Sequence, residues 1–263
     1  MSVIKFKGKN INYTIQGEGE PLFLIHGYLE ALDIWDDFAE ALAGEYMVIR
    51  MDLPGHGRSE VIQDTHDMEL LAEAAKTVLD ENQIPACTMI GHSMGGYVTL
   101  AFADQYPEMV NRFSLFHSHP FPDSEQVRKN RQKAIENIKN GNKEEICRSH
   151  VPKTFADDNL QAFSGQVKKA ENTALQTSEE GIIANLKGMM RRPDRSQRVK
   201  NTDKPFLLIA GKKDNFINYE TVIPKIELPE KGELVTLEYS GHMGFIEEKQ
   251  RSLNIISDFM RKK

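Results

Sequence analysis

No apolar run in the sequence approaches the ~20 residues that cross a bilayer, so no membrane-spanning helix is expected. The opening residues, MSVIKFKGKN, have no apolar stretch of signal-peptide type. Cysteine is scarce: Cys87 lies in an apolar stretch and Cys147 in a polar one. Two isolated thiols fit a reducing cytoplasm better than a disulfide framework. Positive charge is not in excess either, with 33 Lys and Arg against 39 Asp and Glu and a formal net charge of -6, which argues against a general nucleic-acid partner. There is no internal repeat and no low-complexity tract. The eight histidines lack a spacing such as H-E-x-x-H, so no metal and no cofactor is expected.

What is present belongs to a globular chain, with 40% apolar residues spread over 263 positions, enough to bury a large core. The most informative stretch is residues 86–96, ACTMIGHSMGG. Residues 87–90 form an apolar run of buried-strand length, and residues 97–106 carry Val98, Ala101 and Phe102 at helical spacing. Between them, Gly91-His92-Ser93-Met94-Gly95 fits G-x-S-x-G in the strand–turn–helix context which that pattern requires. Glycines at both flanks allow a turn too tight for larger side chains, and Ser93 at its apex is pushed into the open at the positive end of the following helix.

Residues 3–6 and 11–15 read as two strands joined by a turn, and residues 22–25 as a buried parallel strand ending in His26-Gly27-Tyr28. A short helix over 35–43 precedes a strand over 47–51, which ends in DLPGHGRS at 52–59. Leu71, Ala74, Ala75, Val78 and Leu79 mark one face of an amphipathic helix. Further strands are expected at 113–116, 206–210 and 234–239, and a last helix buries Leu253, Ile256 and Met260. Strands alternating with helices predict an α/β fold, a mostly parallel sheet of about eight strands covered on both faces.

Residues 119–204 break this rhythm. They hold no strand pattern, and Val127, Arg131, Ala134, Ile135 and Ile138 share a helical face stopped by Gly141. Thr177 and Glu180 predict a capping box that opens another helix through Met190, stopped at Pro193. The expectation is a core of residues 1–118 and 205–263 with a helical cap, 119–204, over Ser93. The cap holds 17 Lys and Arg against 12 Asp and Glu, whereas the rest of the chain is strongly acidic. Arg191, Arg192, Arg195 and Arg198 read as a solvated helical surface, with steering of anionic substrates as the alternative. Phe121, Phe155 and Phe163 are its aromatic residues, too few for a broad greasy lid.

A serine hydroxyl needs a base, and the base an orienting group. His242 lies in the glycine-rich loop SGHMGF at 240–245, after the last strand, and Asp214 directly follows the strand at 206–210. Sites in open parallel sheets form at the carboxyl ends of strands, where Ser93, Asp214 and His242 all lie. Asp123 is the first substitute for Asp214. His26 and His56, beside glycine turns, read as structural hydrogen-bonders; the His92 side chain should point away from the site; His117 and His119 are not expected to line the pocket.

Taken together, LIHG at 24–27, DLPGHGRS at 52–59, GHSMGG at 91–96, GKKD at 211–214 and SGHMGF at 240–245 resemble an α/β-hydrolase-fold serine hydrolase with a helical cap. The resemblance covers the core; the cap matches only in position and helical character. It implies Ser93 as nucleophile, His242 as base, Asp214 as orienting acid, and the backbone N–H groups of Tyr28 and Met94 as oxyanion hole, with no necessary role for the Tyr28 side chain. A serine at 93 argues against the dehalogenase and epoxide-hydrolase branches, whose nucleophile is aspartate. The implied function is cleavage of a carboxylic ester of a small or medium-sized substrate. Carbon–carbon bond hydrolysis and a cofactor-free perhydrolase use the same triad. A small-molecule receptor or an inactive scaffold on the same fold are the non-enzymatic alternatives.

Overall fold

The computed structural model describes residues 1–262 and is built on eight strands in one sheet. β1 (Ser2–Phe6) and β2 (Lys9–Gln16) form an antiparallel hairpin. β3 (Glu20–Ile25) is followed by α1 (Asp36–Leu42), β4 (Tyr46–Met51) and α2 (Met68–Glu81). β5 (Cys87–His92), α3 (Met94–Gln105) and β6 (Val110–Phe116) complete the first part of the core. Then come α4 (Glu125–Lys139), α5 (Lys143–His150), α6 (Ser164–Gln176), α7 (Glu179–Arg191) and α8 (Ser196–Lys200), with no strand among them. The chain returns through β7 (Phe206–Gly211), α9 (Tyr219–Val222), β8 (Gly232–Leu237), α10 (Gly244–Glu247) and α11 (Lys249–Arg261).

The strand order is β1-β2-β4-β3-β5-β6-β7-β8. β2 pairs antiparallel with β4, and every pairing from β4 to β8 is parallel. The strands read as continuous apolar runs because both faces are covered. Phe23 and Ile25 point into the layer under α2 and α3, with Leu71, Ala75, Val78 and Phe102. Leu22 and Leu24 point the other way, into the layer holding Phe38 and Leu42 of α1 and Ile256 and Phe259 of α11. Period-two alternation thus feeds two cores from one strand.

Two boundaries differ from the sequence reading. β8 spans Gly232–Leu237 rather than 234–239. The cap on α7 is Ser178, whose Oγ accepts the Gly181 N–H at 3.1 Å. Thr177 is in extended geometry at the end of α6, and its hydroxyl is buried without a partner, so no capping box forms. The junction between α6 and α7 is too short for both residues, and the later one takes the cap. Among the described residues no helix is long and apolar enough to cross a membrane.

Candidate active site

A strand that enters a helix through one sharp turn forces its apex residue out of ordinary backbone space. Ser93 stands there between β5 and α3, at φ 50° and ψ -115°, a strain on the order of 1–3 kcal/mol. A Cβ at Gly91 would strike the Gly95 carbonyl oxygen and Thr99 Oγ1, and one at Gly95 would strike the carbonyl oxygens of Ile25 and His26. The elbow is therefore pressed against the end of β3. The Ser93 N–H donates to the Phe116 carbonyl at 3.0 Å, and Ser118 Oγ donates to the Ser93 carbonyl at 2.8 Å, which ties it to the end of β6 as well. Leu29 and His117 also adopt positive φ, 61° and 48°, so strain gathers where β3, β5 and β6 end.

Met94 opens α3, so its N–H has no carbonyl four residues back within the helix. Among the described residues neither that N–H nor the N–H of Tyr28 donates a hydrogen bond. The Tyr28 hydroxyl is buried without a partner, and burial pushes its pKa up.

Asp214 follows β7 in a turn that fixes its carboxylate. Oδ1 accepts the N–H groups of Phe216 and Ile217 at 2.8 and 2.9 Å, leaving Oδ2 to His242 Nδ1 at 2.7 Å. A carboxylate facing Nδ1 puts the ring proton there and leaves Nε2 as the basic nitrogen. The His242 backbone is held separately: its N–H donates to the Thr154 carbonyl at 2.7 Å, and its carbonyl meets His92 Nε2 at 2.8 Å. Burial would push Asp214 up, but the charge and hydrogen bond of His242, with His117 beside it, hold it well below the usual carboxylate range. Burial would lower His242; the Asp214 charge and hydrogen bond outweigh it and raise the pKa above 6.5. No hydrogen bond joins Ser93 Oγ to His242 among the described residues, although both line the same cavity. A hydroxyl turns freely about one bond, and such contacts tighten when substrate is bound.

His92 points into the core as expected, where Nδ1 lies 3.0 Å from Glu30 Oε2. Glu30 also accepts the Gly27 N–H at 2.6 Å, bracing the loop that carries Tyr28. His26 Nε2 accepts the Leu53 N–H at 2.9 Å and His56 Nε2 that of Leu29 at 3.3 Å, the structural roles expected of them. His117 is fully buried with Nδ1 3.6 Å from Asp214 Oδ2. The N–H groups of Gly211 and Gly244 meet its ring nitrogens at 3.1 and 3.0 Å. Ligand atoms of His117, Asp214 and His242 all lie within 4.8 Å of one another, close enough for an ion. A neutral His117 ring accepts at one nitrogen only, and a backbone N–H already takes that lone pair, so the cluster is a hydrogen-bonded one.

A cavity of about 670 Å³ opens over the strand ends and is lined by Ser93, His242 and Tyr28 together with Arg131, Arg192 and His150 from the cap helices and their ends. His119 lines it too, contrary to the sequence expectation. Asp123, the substitute acid, pairs instead with Arg131 (Nε–Oδ2, 2.8 Å) and Arg192 (Nη1–Oδ1, 2.5 Å). The four cap arginines are not one solvated surface either. Arg192 is buried, Arg195 is buried on Asp104 and Glu69, and Arg198 is half-buried against Asp104, leaving Arg191 exposed beside Asp67. Helical periodicity could not separate these faces, because α7 ends at Arg191 and the chain turns.

Buried histidines whose pKa is lowered set a stability window, His66 and His117 among them. Burial drops His66 and His117 to about 4. Unfolded histidine binds a proton near pH 6.5, so between pH 6.5 and about 4 the unfolded chain holds more protons and stability falls as pH falls. Each ring contributes a slope of about 1.4 kcal/mol per pH unit. His242, raised rather than lowered, adds no slope there; its contribution is complete below pH 6.5 and is lost as pH rises through its folded value. The melting temperature should decline steadily from pH 6.5 to 4.5, and less so in His66→Gln. A flat profile would contradict this charge assignment.

A family model described as alpha/beta hydrolase fold matches residues 20–249. An esterase from Thermogutta terrifontis (malate bound) superposes with a TM-score of 0.94 at 25% identity, covering 99% of this chain and 98% of that one. The enol-lactonase from Burkholderia xenovorans superposes at 0.91 with 20% identity, over 99% and 100% of the two chains, a likeness of fold. The acetyltransferase component of the acetoin cleaving system of Pseudomonas putida is 40% identical over 107 residues, 40% of this chain and 29% of that protein. The matched parts thus span less than half the length of such curated relatives. The match over residues 20–249 and the superposition over nearly the whole chain make one conclusion plain: this chain belongs to the alpha/beta hydrolase fold family.

Proposed function

We propose that the protein is a serine hydrolase that cleaves carboxylic esters of small or medium-sized substrates through an acyl-enzyme on Ser93. The observation that carries this is the 2.7 Å bond from His242 Nδ1 to an Asp214 carboxylate whose other oxygen is already fixed, beside a cavity shared with Ser93. Nε2 of His242 takes the Ser93 proton as the hydroxyl attacks the ester carbonyl. The developing oxyanion is met by the Met94 and Tyr28 N–H groups, each worth about 3 kcal/mol. His242 then protonates the leaving alcohol, and water enters by the same route to release the acid. Asp214 holds the ring in the tautomer that leaves Nε2 basic and steadies the imidazolium as it forms. Similarity to a Thermogutta terrifontis esterase along 99% of the chain favours an ester over the other bonds this triad can break.

A panel of p-nitrophenyl esters of increasing acyl length tests the reading. Short and medium acyl groups are expected to be turned over and long ones to be poor, because the cavity is about 670 Å³. Activity requires neutral His242, so it should fall on acidification with a midpoint above pH 6.5. Absence of turnover across the panel, or an acid limb at or below pH 5, would count against the assignment.

A further inference from the structure

The cap side of the cavity contains more positive charge than it neutralises. Asp123 is the carboxylate there, with its side chain 1% exposed, and it is shared by Arg131 and Arg192, whose side chains are 19% and 3% exposed. One negative charge between two guanidiniums leaves one positive charge over, in a place largely removed from water where it is weakly screened. The remaining charged residues lining the cavity are Glu30, engaged by the Gly27 N–H and His92, and Lys225, a further cation. His119 and His150 are held neutral by burial, reinforced in His119 by the adjacent Arg192 charge and in His150 by His242.

Donors are left over as well. Arg131 uses Nε and Nη2 on Asp123. Arg192 uses Nε on the Phe121 carbonyl, and Nη1 on Asp123 and the Met189 carbonyl. Among the described residues Arg131 Nη1 and Arg192 Nη2 have no partner, yet neither is sealed among the buried unpartnered atoms. Both therefore remain open, and both arginines line the cavity. Arg192 cannot swing away freely, because its guanidinium lies 3.9 Å from the centre of the Tyr97 ring. Tyr97 stands one turn of α3 beyond Ser93. That is a rise of about 6 Å along the helix, and the Arg192 guanidinium stacks on the Tyr97 ring beside it.

We propose that Arg131 and Arg192 bind a carboxylate of the substrate, so that the preferred esters are half-esters of dicarboxylic acids. Planar forks with open N–H groups suit a carboxylate, and the surplus charge leaves it uncompensated until the anion arrives. Ser93 and both arginines line the same cavity, so one substrate can reach them together, and a series of chain lengths reads out the spacing. This rests on the reading of Ser93 as nucleophile.

The test compares specificity constants for the monoethyl and diethyl esters of succinate, glutarate and adipate in the full chain. For at least one chain length the half-ester is expected to exceed the diester by about tenfold or more at low salt. In Arg131→Gln that ratio should fall to near one. Arg192 still balances Asp123 in this variant, and its melting temperature checks the fold. Arg192→Gln, in which Arg131 remains on Asp123, is the second variant. A wild-type ratio at or below one, or an unchanged ratio in both folded variants, overturns the proposal. Calorimetry on Ser93→Ala separates it from the ester reading. Glutarate should bind and neutral glutaramide should not, with glutarate binding lost on adding Arg131→Gln. Turnover of diesters without glutarate binding sinks the carboxylate subsite and leaves the Ser93 chemistry standing. Glutarate binding without any ester turnover does the reverse.

Discussion

Ser93→Ala is expected to fold normally and to lose ester hydrolysis by several orders of magnitude. The side chain removed is small, and its backbone, not its hydroxyl, ties the elbow to β6 through the Phe116 carbonyl and Ser118 Oγ. Alanine at φ 50° pays a similar strain to serine, so the melting temperature should move little. The activity left would come from the N–H groups of Met94 and Tyr28 and from substrate binding, roughly 10³ over water in comparable sites. Circular dichroism with the p-nitrophenyl ester assay checks both halves. A folded Ser93→Ala protein with wild-type activity would remove the nucleophile assignment.

Asp214→Asn should be nearly as severe, a loss on the order of 10⁴ in kcat. Oδ1 can still accept the Phe216 and Ile217 N–H groups, so the turn survives. The amide NH2, however, then faces His242 Nδ1. It donates to that nitrogen and moves the ring proton to Nε2, the position that must be basic. Combined with Ser93→Ala, the second loss should add little, because the groups act as a unit. Full activity in Asp214→Asn would point to another acid. Asp123 is poorly placed for that role, held by Arg131 and Arg192.

Much of this architecture is legible in the sequence because its causes are local. Phe23 and Leu24 feed opposite cores, so the strand must be apolar throughout, and that run is visible. The Gly91 and Gly95 positions tolerate no Cβ, which makes the elbow a readable pattern. Asp214 and His242 stand out because each follows a strand that ends at the same sheet edge. What escapes the sequence depends on chain segments meeting far from one another. Glu30 touches His92 across 62 positions, and Arg192 reaches Asp123 across 69. No periodicity encodes those approaches. His117 carries no pattern of its own, and only the close of β6 shows its ring turned inward to Asp214. The Thr177–Glu180 spacing suits a capping box, but Ser178 one position later is the residue in cap geometry. Local patterns name the candidates, and tertiary closure selects among them.

The central claim is that Ser93 carries the acyl group, and covalent labelling tests it most directly. Fluorophosphonate-treated protein, digested and read by tandem mass spectrometry, should carry a single adduct on Ser93. Labelling should slow as pH falls below the His242 pKa, which lies above 6.5, and should slow sharply in Asp214→Asn. An adduct on any other residue, or an unlabelled protein that still hydrolyses esters, would contradict the assignment.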